Sequence, residues 1–141
     1  MTRHLKIRVL VVGGDSARWV ERSHEHNGFV TTSEIKAPPV HEFAGPKQAV
    51  FESASPERHG GAVVDAARRQ REAFSRRLAE TINEDVSAGR IQRLGLVADA
   101  RTLHELKSHL SAAARARIKF ESAKNLGNTP DHSLGSWLAQ A

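Results

Sequence analysis

Hydrophobic and polar positions divide this chain into blocks of different period. Ile7–Val12 is an unbroken apolar run, rich in β-branched residues and closed by Gly13-Gly14-Asp15, the pattern of a strand buried on both faces. "ARWVERS" alternates next, setting Ala17, Trp19 and Val20 near one another against polar Arg18, Glu21 and Arg22. His26–Gly28 reads as a turn, and "FVTTSEIK" (Phe29–Lys36) as a third β-rich segment. These three segments predict an antiparallel meander.

The period is lost from Ala37 to His59, where Pro38-Pro39, Gly45-Pro46 and Pro56 punctuate the chain. This stretch reads as a long loop over about 37–59, with a short strand at "QAVFES", and loops of that length in compact domains tend to be functional or disordered. Helical spacing then takes over: Val63, Ala67, Phe74, Leu78 and Ile82 recur on one face, and Gly89 supplies a stop. "RLGLVAD" is the next buried strand, and "ARTLHELKSHLSAA" an amphipathic helix with Leu103, Leu106 and Leu110 inward and Asp99 or Thr102 near its cap. Ala116, Ile118 and Phe120 alternate as a last strand, and Thr129-Pro130 opens a short final helix. The order β-β-β-loop-α-β-α-β-α predicts one α/β domain over residues 1–141, with helices packed on a single mixed sheet of about five strands.

Composition narrows the classes. A chain of 141 residues, 39% apolar and 26% charged, suits one soluble globular domain. With no cysteine, disulfide frameworks, thiolate nucleophiles and Cys-ligated zinc are excluded. No apolar run approaches the roughly 20 residues of a membrane span, and the opening lacks a small-residue cleavage site. The expected setting is therefore the cytoplasm, with no membrane partner. The net charge of +5 permits attraction to phosphates, so the placement of that charge matters.

Five arginines fall between Arg68 and Arg77. Wrapped at 3.6 residues per turn, Arg69 and Arg76 stand opposite the Phe74–Leu78–Ile82 stripe, with Arg68 and Arg77 flanking them and Arg71 beside the stripe. Such a strip could follow a phosphate backbone, or be a solvated face laced with Arg68–Glu72 and Arg76–Glu80 pairs. Gly60-Gly61 stands where loop becomes helix and could expose backbone N–H groups, or simply supply flexibility. Gly13-Gly14 lacks dinucleotide spacing, and there is no G-K-[ST] phosphate loop. Asp15 and Asp99 each end a buried strand, and on parallel neighbours the two carboxylates could hold Mg²⁺; alternatively Asp15 shapes a turn and Asp99 caps a helix. The eight histidines are scattered and offer no third ligand to the His24/His26 pair.

The order of three stretches, "VLVVGGDSARWVE", "SPERHGG…FSRRLAETINEDVSAGRIQRLGLVADARTLHELKSHL" and "KNLGNTPDHSLGSWL", resembles the bacterial host-attachment protein family, described as required for attachment to host cells. That family is in turn similar to the middle domain of archaeal and eukaryotic peptide-release factors. There a Gly-Gly-Gln loop precedes a long basic helix and reaches the ribosomal peptidyl-transferase centre. On this resemblance Gly60 and Gly61 match the two glycines, while Ala62 stands at the glutamine and offers no amide to position water. The resemblance implies a release-factor-like α/β fold and a ribosome- or RNA-facing helix, without release activity or cofactor. The expected contacts are His59, Gly60 and Gly61 at a loop tip and Arg68, Arg69, Arg76 and Arg77 along the helix. Two other classes stay open: a protein–protein module, in homodimeric form exposing Trp19 or Trp137, and a Mg²⁺-dependent nuclease using Asp15 and Asp99.

Overall fold

A computed structural model describes residues 7–22, 28–39 and 56–138. Ile7–Gly13 forms β1, Ser16–Arg22 β2 and Phe29–Lys36 β3. Helix α1 spans Pro56–Ser87, followed by β4 at Arg93–Ala98, α2 at Ala100–His109, α3 at Ala112–Ala116, β5 at Ile118–Ala123 and α4 at Asp131–Trp137. The five strands make one sheet in the order β3-β2-β1-β4-β5. The meander β1-β2-β3 is antiparallel, whereas β4 joins β1 in parallel and β5 joins β4 in parallel. This is the mixed α/β sheet expected from the pattern, with α3 as an addition. Ala116 belongs to that addition, so the last strand starts later than the alternation suggested. His26 and Asn27 of the predicted turn and the strand at "QAVFES" lie outside the described residues, as does 40–55 of the expected loop.

Two apolar clusters sandwich the sheet. On the front, Leu10, Val12, Ala17, Trp19, Leu94, Leu96 and Ala98 meet Phe74, Leu78, Ile82 and Val86 of α1, Leu103 and Leu106 of α2, and Ala114 of α3. On the back, Val9, Val11, Val20, Phe29 and Val97 meet Leu126, Leu134 and Leu138. Val20 faces away from Ala17 and Trp19, as ordinary strand alternation requires, and its register against β1 is unbroken. The irregularity between β2 and β3 is an extra residue, Thr32, in β3. Central β1 is buried from both sides, which is why its apolar run is continuous.

Local chemistry sets the element ends. Gly89, at φ +79, lets the chain leave α1 through Gly89 N–H to Val86 O (3.1 Å) and Arg90 N–H to Asp85 O (2.8 Å). Asp99 caps α2, accepting from the Thr102 backbone N–H at 2.9 Å, while Lys107 and His109 oppose the dipole at its other end. Ser111 caps α3 by accepting from Ala114 N–H.

Two glycine positions show why the back layer sits so close. A Cβ on Gly95 would lie 2.3 Å from the Phe120 ring, and one on Gly127 would lie 2.5 Å from the Gly13 Cα. The first lets an aromatic ring lie over the sheet. The second lets the loop after β5 press against the end of β1.

Candidate functional site

Helix α1 carries the predicted basic face. Its 32 residues extend about 48 Å, roughly twice the length of the strands it covers. Phe74, Leu78 and Ile82 are buried as expected, which fixes the helix phase. Arg69 and Arg76, seven residues apart, then stand about 10 Å from each other and about 20° apart in rotation on the outer face. Arg68, Arg69, Arg76 and Arg77 are all exposed, and Arg71 is half-buried beside the stripe.

The ion pairs differ from those anticipated. Arg68 Nη2 lies 3.4 Å from Asp65 rather than on Glu72, and Arg69 Nε donates to the Asp65 carbonyl at 3.4 Å. An exposed pair one turn apart is worth little, about 0.5 kcal/mol at most. Arg76 and Arg77 meet no carboxylate among the described residues, so the Arg76–Glu80 pair is not formed. Charge along α1 is uneven: within 68–77 exposed Arg68, Arg69, Arg76 and Arg77 outnumber exposed Glu72, while Glu80 and Glu84 are the exposed charges further on. The last turn carries no basic side chain. Asp85, which the helix dipole disfavours there, is offset by Arg90 at 2.6 Å and Arg8 at 3.8 Å.

His59, Gly60 and Gly61 do not form a loop tip ahead of the helix. Their backbone is helical, because α1 begins at Pro56. Proline suits a first helical position. Each interior glycine costs about 1 kcal/mol relative to alanine, which a helix anchored by a long apolar stripe absorbs. The three residues therefore ride on the N-terminal end of the basic helix, upstream of Ala66, the first buried side chain among its described residues. Gln70, the only glutamine of the helix, is buried and donates to the Pro38 carbonyl at 2.6 Å. It ties α1 to the segment after β3.

Strands β1 and β4 are parallel neighbours, as a paired-carboxylate site on Asp15 and Asp99 requires. The Asp99 carboxylate, however, is engaged by the Thr102 N–H and hydroxyl at 2.9 and 3.1 Å. Asp15 sits in the β1–β2 turn, its carbonyl accepting from Ala37 N–H. Among the described residues no three His, Asp or Glu side chains gather to hold a metal. Of the two tryptophans proposed for an exposed surface, Trp19 is a core residue at 3% exposure, with Arg8 stacked on it at 4.5 Å; Trp137 is exposed at 50%.

One polar cluster was not foreseen. Arg18, on the back face of β2, donates to Asp131 Oδ1 at 3.0 Å, to the Leu126 carbonyl at 3.0 Å, and to the Thr129 carbonyl. Asp131 also accepts from Thr31 N–H at 2.9 Å and Thr31 Oγ1 at 2.6 Å. Burial opposes ionisation of Asp131, but the two Thr31 hydrogen bonds and the charges of Arg18 and His132 outweigh it and hold the carboxyl below its ordinary value of 3.8. The partners are a hundred or more residues apart in the chain, so no local pattern announces them.

A family model described as Bacterial archaeo-eukaryotic release factor family 12 matches residues 6–137. No curated protein matches the chain. Among solved structures, the archaeal translation termination factor aRF1 is similar with a TM-score of 0.44 at 7% identity, over 83% of this chain and 29% of that one. The chain thus spans less than a third of that factor's length. The family match supports the release-factor side of the resemblance and not the host-attachment name. No described helix is long and apolar enough to cross a membrane.

Proposed function

This chain belongs to bacterial archaeo-eukaryotic release factor family 12, and from that premise we propose that it binds ribosome or structured RNA through the outer face of α1 and has no catalytic role of its own. The observation that carries this reading is the set of exposed guanidinium groups at Arg68, Arg69, Arg76 and Arg77, three of them (Arg69, Arg76 and Arg77) without a carboxylate partner among the described residues. A guanidinium presents a planar fork of donors that suits phosphate. Charges about 10 Å apart on a rigid rod can each reach a separate phosphate along a nucleic-acid backbone. His59, Gly60 and Gly61 extend the same rod toward its N-terminal end as further contacts. Ala62, at the position where release factors carry glutamine, removes the amide such hydrolysis would use, so binding is proposed without peptidyl-tRNA cleavage. A role in attachment to host cells would then be indirect, exerted through translation or RNA regulation inside the cell. Removal of the protein by protease treatment of intact cells would contradict that part.

Co-sedimentation with bacterial ribosomes across a salt series tests the reading. Salt-sensitive binding that weakens in Arg69→Ala/Arg76→Ala, with the log–log salt slope falling by about 1.8 for two duplex-type phosphate contacts, is the expected result. Binding with an unchanged slope, or none at low salt, would overturn the arginine strip. The protein–protein reading draws on Trp137, and a doubled mass in solution would favour it. Both sheet edges argue against strand-to-strand pairing, since β3 and β5 each carry a register irregularity and exposed charged residues.

A further inference from the structure

Trp137 and Lys124 make a second surface feature, on the opposite side of the sheet from the arginines. Leu134 and Leu138 anchor α4 in the back cluster, which leaves Trp137 at its outer flank with half of its surface in water. The Lys124 ammonium stands 4.6 Å from the indole centroid. Lys124 follows directly on β5, and Phe120, Ser122 and Lys124 alternate along the back side of that strand. Phe120 is half-buried there, its ring over Gly95. The feature therefore lies beyond the carboxyl ends of parallel β4 and β5, where open α/β sheets place ligands.

The surroundings decide what kind of partner fits. Among the described residues Val30 and Trp137 are the exposed large apolar side chains. Val30 adjoins Thr31, which bonds Asp131 at the other end of α4, six residues or about 9 Å along the helix axis from Trp137. The two do not merge into one patch of the kind a protein partner buries. Beside Trp137 stands instead the Lys124 ammonium, with exposed Ser136 next to Trp137 in the chain and exposed Asn125 next to Lys124. A flat aromatic ring beside a cation, set among hydrogen-bonding groups, matches a nucleobase joined to a phosphate.

We propose that Trp137 and Lys124 form a stacking site for single-stranded RNA. A base covers the indole, and the Lys124 ammonium exchanges its contact with the ring for one with the adjoining phosphate. The site is physically separate from the α1 arginines, and the two can fail independently: ribosome co-sedimentation reads the arginines, while a short oligonucleotide reads Trp137.

The test is titration with a six-nucleotide oligouridylate. Of the two tryptophans only Trp137 is exposed, so saturating quenching of the exposed fluorescence component is the expected signal. By anisotropy of the labelled oligonucleotide, Trp137→Ala weakens binding about ten-fold. Lys124→Ala, an exposed position whose loss leaves the fold intact, lowers the log–log salt slope by about 0.7. Absence of quenching, or quenching unchanged in slope by Lys124→Ala, overturns the site. Equal affinity for uridine monophosphate overturns its assignment to single-stranded RNA in favour of a mononucleotide. Tighter quenching by an acidic peptide overturns it in favour of a protein partner.

Discussion

On the front of the sheet, α1, α2 and α3 lay contiguous apolar side chains across all the central strands, and few polar groups take part. On the back, a helix of seven residues and the loop before it cover the same strands. That smaller layer is positioned by a guanidinium, a carboxylate, two threonine donors and a glycine–glycine approach. One sheet is thus closed by area on one side and by geometry on the other. Burial contributes in proportion to area and tolerates small shifts, whereas hydrogen bonds and backbone contacts depend on exact placement. The front should carry most of the stability, and the back should be the first layer to open.

Truncating the front tests the larger half of that contrast. Leu78 is 1% exposed at the centre of the α1 stripe. Leu78→Ala should lower the unfolding free energy by about 2–5 kcal/mol through lost transfer energy and a residual cavity. Urea unfolding followed by circular dichroism reads this as a lower midpoint with an unchanged slope. A loss under about 1 kcal/mol would mean that the front layer is loosely packed, and the contrast would dissolve.

The front was also the legible layer. Phe74, Leu78 and Ile82 announce their face through helical period alone, Gly89 marks the stop, and Asp99 with Thr102 marks the next start. The arginine face follows from the same phase, so its exposure needed no tertiary knowledge. The back was opaque because its determinants join distant segments: Arg18 to Asp131, Thr31 to Asp131, and Gly13 to Gly127. The extra residue at Thr32, which shifts the β2–β3 register, has no local signature either. The start of α1 was misplaced for a different reason. Gly60 and Gly61 weigh as breakers locally, but the anchored helix downstream carries their cost. Burial of Trp19 was missed because strand alternation tells which residues share a side, and only the docked α1 tells which side is dry.

Gly127→Ala attacks the back layer. Its new Cβ would fall 2.5 Å from the Gly13 Cα, a backbone atom with no rotamer to change, so the loop must lift. Overpacking of this kind costs about 1–3 kcal/mol. Faster hydrogen exchange should appear in α4 and the loop before it, while α1 keeps its protection. Uniform loss of protection across both layers would show instead that the back is not a separate unit.

The smallest effect, and the most selective, comes from titrating the clasp. The folded-state pKa of Asp131 is lowered below 3.8 because the Thr31 hydrogen bonds and Arg18 outweigh burial. A lowered carboxyl pKa means that the folded protein favours the ionised form. Its contribution is therefore complete above about pH 4, the unfolded carboxyl value, and is lost as pH falls through the folded value. With the Asp131 side chain 36% exposed, solvent screens the pair, and Asp131→Asn should cost only about 1 kcal/mol at neutral pH. Neutral asparagine cannot follow the proton, so below the folded-state value wild type and variant should converge in the exchange rates of α4. The wild type should show a step in those rates under acid conditions that Asp131→Asn lacks, while the amides of α1 titrate alike in both. The same step in the variant would assign acid opening to another carboxylate and leave the clasp as packing alone.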